Sequence, residues 1–292
     1  MIDLKLLVQS GVQFGHQTWR WCPKMAPYIW GKKNGIHLID VSKTAHLLEK
    51  AANFLEQIAA EGKQILWVGS KPAAQAIILE VGGRLSMPTV VHRWVGGTLT
   101  NYPQVRKSVT KYLHLQDALE KSDKDLYTKK EYGVMQKLVN RLDKNVGGIQ
   151  TLRWPVGAVV VVDVKKEQSA VREARAAGIP VVALVDTNVD PSLVDYVIPS
   201  NDDIARAVKI LLDYLAEAVE RGIKTAKENK KETVANAEQT INQLVEQSYA
   251  FHEGDSSETD KAKKAPTPAP RSRKPFTQQR PQNRPAPKKR EE

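Results

Sequence analysis

Alternating aromatic and basic side chains near the start of the chain are the first candidates for chemistry. Within residues 14–33 the aromatic members are Phe14, Trp19, Trp21, Tyr28 and Trp30, and the basic or imidazole members are His16, Arg20, Lys24, Lys32 and Lys33. Aromatic planes stack on unpaired nucleic-acid bases, while Lys and Arg neutralise phosphates. The pattern therefore predicts contact with RNA. In the competing interpretation the rings pack this segment against a sheet and the cations are only solvated; both interpretations can hold in part.

A second basic patch lies further along the chain. It runs from His92–Trp94 through Asn101 to Arg106, Lys107 and Lys111, and it leads into a helical segment that can follow an RNA backbone. The two patches supply the predicted RNA-binding residues, which are His16, Arg20, Lys24, Tyr28, Lys32, Lys33, Arg93, Asn101, Arg106 and Lys107.

Catalytic and cofactor sites are the alternative to RNA binding. Residues 68–72 (VGSKP) and 96–101 (GGTLTN) each follow a predicted strand, where phosphates bind in Rossmann-like folds, but neither contains GxGxxG or GxxxxGK[ST]. Asp186 and Asp190 in DTNVDP can form an acid–base pair; the interpretation that we favour is a turn capped by its own side chains. The histidines lack a metal-ligand spacing such as HExxH. We therefore predict no catalytic residue, cofactor or metal, and a Rossmann-like nucleotide-binding enzyme remains the alternative hypothesis.

The positive charge is concentrated at the C-terminal end. The chain has 292 residues and a net charge of +11, yet residues 261–292 alone hold eleven Lys or Arg against two Asp or Glu. RNA contacts made by the nearly neutral remainder must therefore come from local patches. Seven of the 16 prolines also follow residue 261, and this composition predicts disorder over residues 255–292. A general RNA chaperone that acts through this tail is a third hypothesis.

Composition also narrows the class of protein. The single cysteine, Cys22, cannot form an internal disulfide, which favours a reducing compartment. No apolar run approaches the roughly 18 residues that a membrane span needs, and the opening MIDLKLLVQSGVQ lacks the features of a secretory signal. We therefore expect a cytoplasmic protein without a membrane partner.

The elements that must position these residues alternate between strands and helices, which predicts a parallel sheet with helices on both faces. Ser42 is expected to cap the first long helix, and a strand is expected over Thr89–Trp94. Two apolar runs at helical spacing predict an inserted antiparallel helical hairpin, whose second helix begins at the capping box Thr128–Glu131. The predicted organisation is an irregular, RNA-contacting N-terminal arm (1–40), an α/β domain (41–103 and 147–225), the inserted hairpin (104–146), a polar, partly helical extension (226–254) and the disordered basic tail (255–292).

Several long segments resemble one family, that of bacterial and organellar small-subunit ribosomal protein two. They are GVQFGHQTWRWCPKMAPYIWGKKNGIHLIDVSKT (Gly11–Thr44), HRWVGGTLTN (His92–Asn101), IPVVALVDTNVDP (Ile179–Pro191) and DYVIPSNDDIARA (Asp195–Ala207). The motifs stand in the family's order within about residues 1–225. The sequence departs from the family pattern at Gln13 and Cys22, where His and Asn are common, and the tail is not covered.

The resemblance implies a three-layer α/β sandwich with a parallel sheet, of Rossmann or flavodoxin type, that carries a protruding helical hairpin. It also implies a structural role without catalysis and without a small-molecule substrate. The expected partners are 16S-type small-subunit ribosomal RNA and other small-subunit ribosomal proteins, including the largest one, which the chain helps to dock. The expected location is the ribosome of a bacterial cytoplasm or of an organelle stroma or matrix.

Overall fold

The computed structural model describes residues 2–121 and 128–228. The helices are α1 (Leu4–Ser10), α2 (Val41–Ala60), α3 (Pro72–Leu85), α4 (Tyr102–Lys121), α5 (Lys129–Val146), α6 (Gln168–Ala176) and α7, described over residues 205–228. The strands are β1 (Phe14–Gln17), β2 (Ile29–Lys33), β3 (Ile36–Ile39), β4 (Gln64–Val68), β5 (Thr89–Val90), β6 (Val156–Val162), β7 (Val181–Val185) and β8 (Tyr196–Pro199). The predicted disordered tail, and the predicted extension from residue 229 onward, lie outside the described residues.

A parallel sheet with strand order β5-β4-β6-β7-β8 forms the middle layer. Alternate residues of each strand point to opposite faces. Ile65 and Trp67 of β4 pack in one apolar cluster with α2, α3 and α7, whereas Leu66 and Val68 pack in a second cluster with α6 and the base of the hairpin. All seven residues of β6 are buried, as expected for a parallel strand covered on both faces. The predicted three-layer α/β fold is confirmed.

The N-terminal segment is more regular than predicted. The irregular arm was a wrong prediction, because residues 4–39 form α1 and an antiparallel sheet of order β1-β3-β2. These strands have four or five residues and are interrupted by bulges, which hides the alternation that marks a strand. Asn34 and Gly35 both have positive φ and join β2 to β3 in a two-residue turn. Asn-Gly is the preferred sequence for such a hairpin, so the signal was present.

The helical hairpin has the predicted form. The side chain of Thr128 accepts a hydrogen bond from the backbone of Glu131, whose carboxylate accepts one in return, and this capping box begins α5. Val105, Val109 and Tyr112 of α4 are buried along the seam with α5. Over residues 2–121 and 128–228, no helix is long and apolar enough to cross a membrane.

Two local predictions were wrong. The N-cap of α2 is Asp40 and not Ser42, since the Asp40 carboxylate accepts hydrogen bonds from the backbone N–H groups of Ser42 and Lys43. The strand expected over Thr89–Trp94 ends at Val90, because the chain then turns away to contact α6.

Candidate nucleic-acid interface

The N-terminal sheet lies against the carboxyl ends of β7 and β8. The backbone N–H of His16 donates to Thr187 Oγ1 at 2.9 Å, and the N–H of Cys22 donates to the Thr187 carbonyl at 2.8 Å. The side-chain amide of Asn201 donates to the Phe14 carbonyl, and the Asn201 N–H donates to the Val12 carbonyl at 3.1 Å. Ligands of open α/β sheets bind outside the carboxyl ends of the strands. In this chain β1 occupies part of the region beyond the carboxyl ends of β7 and β8.

Both turns that could receive a phosphate are bound by carboxylates of the chain itself. The N–H of Ser70 donates to Glu167 at 3.1 Å, and the Ser70 hydroxyl donates to the same oxygen. Glu173 accepts hydrogen bonds from the N–H groups of Gly97 at 2.9 Å and Leu99 at 3.2 Å, and from the indole of Trp94 at 2.9 Å. A negative carboxylate in each turn repels a phosphate, so neither arrangement favours nucleotide binding.

A cluster of charged side chains lies where β1 meets the parallel sheet. His16 Nδ1 is 3.0 Å from an oxygen of the fully buried Asp186, in an ion-pair contact that is not a well-aligned hydrogen bond. Asp186 raises the pKa of His16 above 6.5, although partial burial opposes the shift. Burial and the charge of Asp186 raise the pKa of Asp202 to about 7, despite Lys71 Nζ at 2.7 Å.

This cluster also has the donor set of a cation site. His16, Asp186, Asp202 and Asp203 each offer a ligand atom, and the four atoms lie within 4.8 Å of one another. Asp202 and Asp203 precede α7, where the Asn201 side chain caps the backbone by accepting from the N–H groups of residues 203 and 204. These two carboxylates were not among the predicted site residues; the signal for them is that acidic residues follow both of the neighbouring parallel strands β7 and β8 within three residues.

Lys24 and Arg20, two of the predicted RNA-binding residues, each contact a neighbouring side chain, Lys24 in an ion pair and Arg20 over an exposed aromatic ring. Lys24 Nζ is 2.6 Å from Asp190 and donates to the hydroxyl of Ser192 at 3.3 Å, and the Lys24 ammonium holds the pKa of Asp190 at about 2. Asp190 also caps the turn that follows it, which agrees with the favoured interpretation of DTNVDP. The guanidinium of Arg20 lies 4.3 Å from the ring centroid of Trp19, which is 72% exposed. This pair presents a plane and a charge to solvent.

The remaining N-terminal candidates differ in exposure. Lys32 and Lys33 of β2 are exposed, as is the neighbouring Trp30. Tyr28 is half-buried and packs against the apolar cluster beneath the N-terminal sheet, so packing explains this ring. Met25 is fully buried in the same cluster. Packing therefore accounts for Tyr28, whereas the RNA contacts predicted for the exposed Lys32 and Lys33 stay a prediction.

The second predicted patch lies at the base of the hairpin. Arg93 and Asn101 are exposed at either end of the loop that Glu173 holds, and Arg106 and Lys107 are exposed in the first turns of α4. Together with Lys111, these two α4 cations line a groove of about 690 Å³, whose other lining residues within the described part of the chain are Pro103, Thr110, His114 and Leu115. The same apolar cluster supports Trp94, Leu99, Met25 and Tyr28, so both predicted patches rest on one part of the core.

The fold and the site define an α/β protein with exposed basic patches and with its strand-end crevice partly filled by its own N-terminal sheet. Residues 7–222 match the family model described as Ribosomal protein S2. A protein of Maridesulfovibrio salexigens named small ribosomal subunit protein uS2 is 42% identical over 229 residues, which cover 78% of this chain and 88% of the relative. The protein of the same name from Chloroherpeton thalassium is 45% identical over 221 residues, or 75% and 88% of the two chains.

The chain belongs to the ribosomal protein S2 family. Members of this family are ribosomal proteins of the small subunit that take part in translation, and the family is not enzymatic. Family membership decides against the hypothesis of a nucleotide-binding enzyme, in agreement with the carboxylates in the two glycine-containing turns.

Proposed function

We propose that this protein is a structural constituent of the small ribosomal subunit that binds the 16S-type ribosomal RNA through two basic patches. The hairpin-base patch consists of Arg93, Asn101, Arg106 and Lys107. The N-terminal patch consists of His16, Arg20, Lys24, Tyr28, Lys32 and Lys33. Neighbouring small-subunit proteins, including the largest one, dock beside it, within the ribosome of a bacterial cytoplasm or an organelle.

The groove along α4 carries this proposal. Arg106, Lys107 and Lys111 line one exposed face of the helix, which leaves Val105 and Val109 to face α5. A helix rises about 1.5 Å per residue, so these cations span about 7.5 Å along the axis and can contact neighbouring phosphates of one strand. Such contacts supply affinity and orientation without specifying sequence.

The residues of the N-terminal patch should contribute unequally to RNA affinity. Lys32, Lys33 and Arg20 are exposed and available to phosphate. Lys24 must exchange its ion pair with Asp190 for a phosphate contact, and His16 must do the same with Asp186. We therefore expect Lys32 and Lys33 to contribute more RNA affinity than Lys24 or His16.

Sedimentation of a tagged chain in a sucrose gradient tests the proposal. The full chain should travel with small subunits, and a chain that stays in the free soluble fraction refutes the proposed function. The double variant Arg106→Glu with Lys107→Glu should weaken RNA binding and lower the salt slope of log K by about one unit for each phosphate that is no longer neutralised. Lys50→Glu with Arg206→Glu makes the same charge change at exposed positions on α2 and α7 and should leave the slope unchanged.

Deletion of residues 255–292 separates this proposal from a general RNA chaperone. The basic tail adds weak, salt-sensitive affinity, so its removal should cause only a modest loss of RNA association. Abolished association after the deletion, with the folded part intact, contradicts the proposal and supports the chaperone hypothesis.

A further inference from the structure

Trp154 is a large aromatic side chain held at the surface beside the hairpin-base patch. It precedes β6 and is 49% exposed, whereas Tyr102, the first residue of α4, is half-buried against the core. The two rings stack with their centroids 6.1 Å apart and their planes at 24°. The exposed half of the indole is therefore free to accept another planar group.

Three hydrogen bonds fix the residues just before Trp154. The side chain of Gln64 accepts a hydrogen bond from the Arg153 N–H at 2.6 Å and donates one to the Thr151 carbonyl at 3.1 Å. The Tyr102 hydroxyl donates to the Leu152 carbonyl at 2.5 Å. These contacts position the loop before any partner arrives, which reduces the entropic cost of binding a ligand.

The charges around Trp154 favour a nucleic acid over an apolar protein surface. Arg153 is exposed next to it in the chain, and Arg106 follows Tyr102 by one helical turn of α4. Lys107 extends the positive charge into the groove already described. An exposed aromatic plane beside a row of cations is the combination by which single-stranded nucleic acids are held, with bases on the ring and phosphates on the cations.

We infer that Trp154 is a stacking platform for an unpaired RNA base, with Arg153 and Arg106 on the adjoining phosphates. This inference rests on the proposed function, which it deepens by naming single-stranded RNA as the ligand at the base of the hairpin. Base stacking on an aromatic side chain is sequence-tolerant, because every base has a flat face. The platform therefore selects unpaired over paired RNA and not one base over another.

The test compares three variants of the full chain in binding to a short, labelled single-stranded oligoribonucleotide and to a blunt duplex, at one salt concentration. Trp154→Leu removes the aromatic plane and should weaken single-strand binding about fivefold to a hundredfold, while duplex binding stays unchanged. Trp154→Phe keeps a plane and should retain most of the affinity. Leu79→Ala, at an exposed apolar position on α3, is the control and should bind as the wild type does.

Three results overturn the inference. The first is wild-type single-strand affinity in Trp154→Leu, and the second is an equal loss in the leucine and phenylalanine variants, which indicates apolar packing. The third is normal RNA binding by Trp154→Leu together with defective incorporation of this variant into small subunits, which indicates a protein partner at this surface. The proposed function is tested separately, by whether the wild-type chain sediments with small subunits. None of these three results bears on that observation.

Discussion

Glu173 should be the most sensitive single position for the shape of the hairpin-base patch. Its carboxylate accepts three hydrogen bonds, from the Trp94 indole and from the backbone of Gly97 and Leu99. Trp94 and Leu99 are 8% and 3% exposed, so water cannot readily replace the missing acceptor. A buried donor left without a partner costs about 1–3 kcal/mol. We expect Glu173→Ala to lower the free energy of unfolding by about 3–4 kcal/mol, allowing for some access of water to Gly97.

Glu173→Gln provides a graded comparison. One carboxylate oxygen accepts from both Trp94 and Gly97, and the amide oxygen of glutamine can take its place. The amide NH2 group then faces the N–H of Leu99, which places two donors against each other. The expected loss is about 2 kcal/mol, which corresponds to a shift of roughly 0.7 M in the urea midpoint for a slope near 3 kcal/mol per M.

Urea unfolding of the full chain measures these losses, with Glu217→Gln, at an exposed position on α7, as the charge-matched control. Hydrogen exchange adds a local readout, since the amides of residues 94–99 should exchange faster in Glu173→Ala while those of α5 do not. If both Glu173 variants unfold within about 0.5 kcal/mol of the control, the anchoring role assigned to this carboxylate is wrong.

Three further outcomes are expected. Thr128→Ala removes the capping box of α5 and should cost about 1 kcal/mol of stability in urea, with an unchanged midpoint contradicting the assigned cap. Because Asp186 raises the pKa of His16, the stabilisation from this pair is complete below the ordinary pKa of 6.5 and is lost as the pH rises through the pKa of the folded state. His16→Gln, measured in buffer with a chelator, should therefore reduce the fall in the free energy of unfolding around neutral pH, although Asp202 supplies part of that fall in both proteins. An identical dependence of stability on pH in the variant and the wild type refutes the assignment. Gly222→Ala places a Cβ against a backbone carbonyl oxygen of α2 and should cost about 1–3 kcal/mol by thermal or urea unfolding, whereas wild-type stability shows that the two helices separate easily.

Local patterns allowed much of the fold to be predicted from the sequence. The buried β-branched run predicts β6, and the spacing of apolar residues predicts α4 and α5. Each of these elements is predictable because its hydrophobic pattern lies within its own residues. The Asn34-Gly35 dipeptide is also a local signal, since it predicts the turn between β2 and β3. The hairpin was not predicted because its short, bulged strands lack a clear alternation of apolar and polar residues.

The site depends on contacts that no local pattern contains. His16 meets Asp186, and Trp94 meets Glu173, across long stretches of chain, and both pairings arise only when the sheet brings distant loops together. The strand expected to continue to Trp94 ends early for this reason, since tertiary hydrogen bonds outweigh the β propensity of a short segment. The exposed basic residues were predictable because exposure of Lys and Arg is their usual state.

The position of the N-terminal sheet explains how an α/β fold of this type can serve a structural role. Open parallel sheets bind ligands beyond the carboxyl ends of their strands. In this chain β1 is hydrogen-bonded there to the segments after β7 and β8, and Glu167 and Glu173 hold the N–H groups of the two neighbouring turns. Negative charge thus lies at the crevice, and the cations Arg106 and Lys107 lie outside it on the hairpin. The sheet topology that this chain shares with nucleotide-binding enzymes therefore does not by itself determine its function.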